Sequence, residues 1–144
     1  SLSHALARFE CDLIFISPGQ LSMPAEIVSD LTKGGAKITE TEDLYGAIPV
    51  ADVIYMTRIQ KERFEDKAGI PDDAEYFRMW GITRERMKLA AGDAIVMHPG
   101  PMNEGIEISN SIAHGGSSLI EEQVTNGVAV RMALLYKLTT GGSD

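Results

Sequence analysis

The sequence predicts an α/β fold, a mainly parallel sheet flanked by helices in a three-layer sandwich. Two observations carry this. Four short apolar runs, at 12–17, 36–41, 52–57 and 94–97, alternate with segments of helical spacing, the pattern that places parallel strands beside crossover helices. Two of the runs end directly in proline and glycine, at Pro18-Gly19 and at Pro99-Gly100-Pro101, which cannot continue a strand.

The elements follow in order. Leu2, Leu6 and Phe9 share one face of an opening helix. Asp12 to Ser17 is a strand that turns at Pro18-Gly19. Met23 to Lys33 reads as a helix stopped by Gly34-Gly35, a C-terminal glycine signal. Ala36 to Thr41 is a second strand, and a short helix lies within 41–46. Asp52 to Thr57 is a third strand, apolar enough to be buried on both faces. Residues 64–82 are polar and irregular. Thr83 caps a helix running to Ala91, and Ala94 to Met97 forms the fourth strand. The chain closes with a helix over Ser118 to Leu138, whose apolar positions include Ile120, Val124, Val128, Leu135 and Leu138. The opening helix has no strand to feed it, and the closing helix is long and apolar for so small a sheet. Both features suggest a fragment, lacking the first strand of its sheet and a partner for its last helix.

The totals narrow the function classes. The chain has 144 residues, one domain's worth, with 44% hydrophobic and 24% charged residues. Its formal net charge is −8 and it carries no basic run, which disfavours nucleic acid as a partner. Cys11 is the only cysteine, so no internal disulfide or cysteine-based zinc site is expected, and a reducing compartment fits. His4, His98 and His114 form no metal pattern. No apolar run approaches the ~18–20 residues of a membrane span and no signal peptide is visible, which makes the cytoplasm the expected location. No glycine-rich dinucleotide or triphosphate motif is present, so no cofactor is expected.

Parallel strands release their loops at one sheet edge, where α/β proteins bind ligands. That edge should gather Ser17-Pro18-Gly19, Thr41-Glu42, Thr57-Arg58-Ile59-Gln60 and His98-Pro99-Gly100-Pro101. Arg58 is either a surface arginine past a strand end or a planar clamp for a carboxylate. Gln60, two residues on, projects to the same side of an extended backbone. Glu62 either orients Arg58 or is solvated surface. His98 is either a general base or a structural hydrogen-bonding group. Pro99 and Pro101 lack N–H groups, so this turn is rich in carbonyl acceptors and suits a ligand bearing N–H. Gly100 allows close approach, and Gly100-Pro101 is a candidate cis peptide.

Three stretches carry a resemblance: Val53-Ile54-Tyr55-Met56-Thr57-Arg58-Ile59-Gln60-Lys61-Glu62-Arg63, Met97-His98-Pro99-Gly100-Pro101-Met102-Asn103, and Glu122-Gln123-Val124-Thr125-Asn126-Gly127-Val128-Ala129-Val130-Arg131-Met132. With them the chain resembles the aspartate-binding, C-terminal domain of the aspartate/ornithine carbamoyltransferases, over all of residues 1–144, and with it their Rossmann-like fold. The resemblance implies transfer of a carbamoyl group from carbamoyl phosphate to L-aspartate in pyrimidine synthesis, with no metal or cofactor. It implies that Arg58 and Gln60 bind aspartate and that the Pro99 and Gly100 carbonyls receive the carbamoyl amide. Glu62 and His98 would support them, Gly100-Pro101 would be the family's cis peptide, and 64–82 would be a closing loop. No catalytic residue is expected within the fragment itself. The partners implied are an N-terminal carbamoyl-phosphate domain and two further copies in a homotrimer. Glu104 stands where many relatives carry arginine. Two rival readings are a transcarbamoylase with another amino-acid acceptor and a degenerate domain serving as a binding or scaffold module. The absence of a cysteine in place of Pro99 and of a Ser-Met-Gly loop argues against ornithine.

Overall fold

The computed structural model describes residues 2–60 and 70–141. All strand pairing is parallel. Strand β1 (Asp12–Ile16) pairs with β2 (Lys37–Thr41), Leu13 opposite Ile38 and Ile16 opposite Thr41. Strand β3 (Val53–Tyr55) pairs with β4 (Ile95–Met97), Ile54 opposite Val96. The α/β class with parallel strands is therefore present, but among the described residues the strands pair two by two and form no continuous four-stranded ladder. The two pairs still touch, because Ile16 packs on the cluster that contains Ile54 and Val96.

Seven helices connect or flank the strands among the described residues. Helix α1 (Leu2–Leu6) buries nothing, and Phe9, expected on its inner face, is 71% exposed. The helix ends before Phe9, so the periodicity that would turn the ring inward is lost. Helix α2 (Ala25–Lys33) seats Leu31 in the interior. It stops as the glycine pair predicts: Gly35 takes φ +90°, its N–H donates to the Thr32 carbonyl, and the Ala36 N–H reaches the Leu31 carbonyl. This is the two-bond termination that needs a left-handed residue. Helix α3 (Leu44–Ala47) is capped by Asp43, whose side chain accepts from the Gly46 N–H at 2.9 Å.

The stretch read as irregular contains a helix, α4 (Asp73–Trp80). Asp72 caps it by accepting from the Glu75 N–H at 2.7 Å, and the Asp-x-x-Glu spacing is an N-terminal signal. The rest of that stretch, 64–69, lies outside the described residues. Thr83 does cap a helix, its hydroxyl accepting from the Arg86 N–H, but α5 is only Arg84–Met87. After Met87 the backbone changes to tighter bonds, Leu89 N–H to the Arg86 carbonyl and Ala90 N–H to the Met87 carbonyl, while the Arg86 side chain turns inward to the end of α4. There it is buried and donates to the carbonyls of Phe77, Arg78 and Gly81, a cation set against a helix C-terminus. A four-residue helix, α6 (Asn110–Ala113), precedes α7 (Ile120–Thr140).

The core lies between β3–β4 and the segments that follow them. It comprises Leu44, Ile48, Ile54, Ile82, Val96, Ile108, Ile112, Ala113 and Ile120. Each fully buried isoleucine contributes about 1.5–3 kcal/mol. The strand β3 is buried on one face only: Ile54 is interior, whereas Val53 is 48% exposed, because β3 is covered on the side of this cluster alone. The segment just before α7 continues the β4 ladder. Val96 donates to the Ser117 carbonyl and accepts from the Leu119 N–H, which carries Ile120 into the core. Beyond that residue α7 leaves the body, and Val128, Leu135 and Leu138 are exposed.

Candidate functional site

Two of the four strand ends meet. Thr57, Arg58 and Gln60 after β3 and His98, Pro99, Gly100 and Pro101 after β4 line one cleft of about 290 Å³. The register of β3 against β4 puts Tyr55 opposite Met97, so both chains exit the sheet at the same level. The other two ends meet one another, with a Cβ position on Gly19 lying 3.0 Å from Glu42 Oε1, and they do not line this cleft. The expectation of one crevice built from four segments is corrected to a cleft built from two. The reason is the two-by-two strand pairing.

Arg58 and Gln60 are half-buried at the cleft wall, and Pro99, Gly100 and Pro101 are exposed on the opposite side. The Gly100-Pro101 peptide is cis, and Gly100 has φ +68°, a conformation that favours glycine. Glu62 lies outside the described residues. Cys11 is remote, its Sγ donating to the Leu6 carbonyl.

His98 is fully buried. Its Nδ1 accepts from the Gly100 N–H at 2.9 Å, and its Nε2 lies 3.0 Å from Glu107 Oε1. Only a proton on Nε2 satisfies both contacts, since Nδ1 must present a lone pair to the amide. With both nitrogens occupied and the ring buried, His98 braces the turn from beneath the cleft that it helps to line.

Two braces of the turn carry no signal in the local sequence. Gln123, in the first turn of α7, accepts from the His98 N–H at 3.1 Å and donates to the Tyr55 hydroxyl at 3.1 Å. It ties the turn to β3. Glu107 Oε1 accepts from the Asn103 N–H at 2.6 Å as well as from His98. Gln123 lies in the third motif stretch, which is a signal of place but not of role. Nothing marks Glu107. Burial and the nearby Glu107 carboxylate push the Tyr76 hydroxyl up to about 12.

The arrangement spends the N–H groups of His98, Gly100 and Asn103 inward. Pro99 and Pro101 have none to spend. Among the described residues no hydrogen bond ends on the Pro99 or Gly100 carbonyl. The cleft is therefore lined by a turn rich in carbonyl acceptors together with Arg58 and Gln60. A larger cleft of about 540 Å³ lies by Tyr45, Phe77 and Arg86, but its buried cation is already satisfied by backbone carbonyls. The described residues contain no group of three or more potential metal ligands and no helix long and apolar enough to cross a membrane.

Comparison with known proteins gives a consistent picture. Residues 1–138 match the family described as aspartate/ornithine carbamoyltransferase, Asp/Orn binding domain. The aspartate carbamoyltransferase catalytic subunit of Pelotomaculum thermopropionicum is 52% identical over 124 residues, covering 85% of this chain and 39% of that protein. The chain thus spans about two-fifths of the length of the curated relatives it matches. Aspartate transcarbamoylase from Trypanosoma cruzi, solved with carbamoyl aspartate and phosphate, superposes with a TM-score of 0.80 at 31% identity, over 94% of this chain and 43% of that one. An ornithine carbamoyltransferase from Pyrococcus furiosus shares the fold, with a TM-score of 0.82 at 22% identity, over all of this chain and 46% of its own. With a Rossmann-like α/β fold and a match to the Asp/Orn binding domain over residues 1–138, the chain belongs to the aspartate/ornithine carbamoyltransferase family.

Proposed function

We propose that this chain is the amino-acid-binding domain of an enzyme that carbamoylates L-aspartate, giving N-carbamoyl-L-aspartate and phosphate in pyrimidine synthesis. One observation carries the reading: a turn whose His98, Gly100 and Asn103 N–H groups are spent inward, and whose Pro99 and Pro101 have none, lines one cleft with Arg58 and Gln60. A carbamoyl group brings two N–H bonds, which the Pro99 and Gly100 carbonyls accept. Aspartate brings carboxylates, which Arg58 engages with its planar fork while Gln60 adds an amide donor. Held this way, the aspartate amine faces the carbamoyl carbon. The C–N bond forms, the bond to the phosphate oxygen breaks, and the amine proton leaves with phosphate or solvent. The domain's share of the rate is orientation of two anions that repel in water; the cations for phosphate lie on other chain segments.

Glu62, which lies outside the described residues, orients Arg58 in this reading. An N-terminal carbamoyl-phosphate domain completes the site, and the full catalytic chain assembles as a cytoplasmic homotrimer. Relatives named as aspartate carbamoyltransferase catalytic subunits support this, as does the T. cruzi enzyme holding carbamoyl aspartate. Ornithine is disfavoured as acceptor because the chain's one cysteine is remote from the cleft. The test is a carbamoyl-phosphate-dependent transfer assay on residues 1–144 alone and joined to their native upstream sequence, with aspartate and ornithine compared. Turnover in the joined form with aspartate only is expected. Turnover with ornithine, or none in the joined form, defeats the reading, and turnover by residues 1–144 alone defeats the need for the N-terminal domain.

A further inference from the structure

The geometry points to Glu107 as a positioning residue that acts through His98 and the Gly100 amide on the Pro99 carbonyl. Glu107 is fully buried. Its Oε1 accepts from His98 Nε2 and from the Asn103 N–H, while its Oε2 has no hydrogen-bond partner among the described residues. A buried carboxylate with an unpartnered oxygen costs stability. A neutral amide oxygen would accept the same two donors. What the carboxylate adds is negative charge on the far side of the imidazole.

That charge has a path to the cleft. It draws the Nε2 proton of His98 and raises electron density at Nδ1. Nδ1 then accepts more strongly from the Gly100 N–H, 2.9 Å away. That N–H shares a peptide group with the Pro99 carbonyl. Hydrogen bonds in series polarise one another, so the chain from Glu107 to His98 to the Gly100 amide ends as extra negative charge on the Pro99 oxygen. The same chain fixes where this oxygen sits, because Gly100 at φ +68° is held by the imidazole and Asn103 by the carboxylate. Glu107 is itself anchored, its carbonyl accepting from the Ile82 N–H at 2.9 Å. It touches no substrate position. The substrate-side consequence rests on the carbamoyl-transfer reading above.

Two measurements test this. In the 144-residue chain, long-range 15N–1H NMR of the imidazoles reads the tautomer directly. A His98 protonated at Nε2 with a bare Nδ1 is expected, and a proton on Nδ1 overturns the relay. In the complete catalytic chain, Glu107→Gln keeps an oxygen for both donors and removes the charge. Its kcat is expected to fall about tenfold, the scale of one modest hydrogen bond, with the KM for aspartate within about twofold of wild type and the thermal midpoint little moved. An unchanged kcat overturns the assignment, as does a loss that appears in the aspartate KM or tracks a loss of stability. A wild-type complete chain without transfer activity defeats the functional reading instead, and the tautomer measurement then still decides the relay.

Discussion

The two parallel strand pairs of this chain end alike and serve differently. Strand β1 runs into Pro18-Gly19 and β4 into Pro99-Gly100-Pro101. Among the described residues the first turn is held by backbone bonds, Leu21 N–H to Pro18 carbonyl and Ser22 N–H to Gly19 carbonyl. The second is gripped by three side chains that come from its own ring, from Glu107 and from α7. A proline turn past a parallel strand is only an opportunity for a site. Here the second turn lines a cleft with Arg58 and Gln60, and distant side chains take up the N–H groups of His98 and Asn103.

That contrast can be broken most strongly in the core beneath it. Ile108 is fully buried between β4 and the bridge to Ile82, whereas Ile38 on β2 is only half-buried. Ile108→Ala is expected to cost about 2–5 kcal/mol and Ile38→Ala clearly less, as read by urea unfolding. Equal losses would mean that the two pairs share one core evenly. Arg58→Ala in the complete chain comes next. Losing a charged clamp is worth about 1.5–3 kcal/mol, so aspartate affinity should fall roughly 10- to 150-fold with carbamoyl phosphate affinity unchanged. Titration calorimetry with each ligand decides it, and equal losses for both ligands reject the assignment.

Gln123→Leu sharpens the comparison of the turns themselves. It strands the His98 N–H and the Tyr55 hydroxyl, at about 1–3 kcal/mol. Pro18→Ala in the other turn should stay within about 0.5 kcal/mol. Matching losses would show that side-chain bracing does not distinguish them. The smallest effect is a pH dependence beside the site. A hydrogen bond donated to Glu104, aided by its charge and that of Glu121, raises the His114 imidazole above its ordinary value of 6.5. The reciprocal contacts with Asn110 and His114 lower Glu104. A raised histidine adds stability in full below its unfolded value, and this is lost as pH rises through the folded one. The Glu104 contribution is present above about 4.5 and is lost as pH falls through its lowered value. The pair therefore helps most between those limits. An NMR titration of His114 should show the raised midpoint, and Glu104→Gln should reduce it, leaving the part due to Glu121.

What could be read from the sequence is what has a short period or a sharp stop. The strands and the Gly34-Gly35 termination depend on neighbours in the chain, and the meeting of Arg58 and Gln60 with the proline turn follows from parallel strands releasing their loops at one edge. What escaped depends on contacts far apart in sequence. Gln123 reaches Tyr55 across 68 positions and His98 across 25, and no spacing rule announces either. The split of the strands into two pairs escaped for the same reason, since alternation fixes strand direction but not which strand lies next to which. Helix α4 is a different kind of miss. Asp72 and Glu75 stood in the sequence as a start signal, and the surrounding polar residues outweighed it.

The exposed far half of α7 sets how this chain behaves in a tube. Val130, Met132, Leu134, Leu135, Tyr136 and Leu138 are each more than half exposed, so the helix is apolar around much of its circumference rather than along one stripe. Only the net charge of −8 keeps such surfaces apart, and salt screens that repulsion over about 10 Å at 0.1 M. The 144-residue chain should therefore be most tractable in dilute buffer near neutral pH and grow sticky as ionic strength rises or as pH falls toward 4.8.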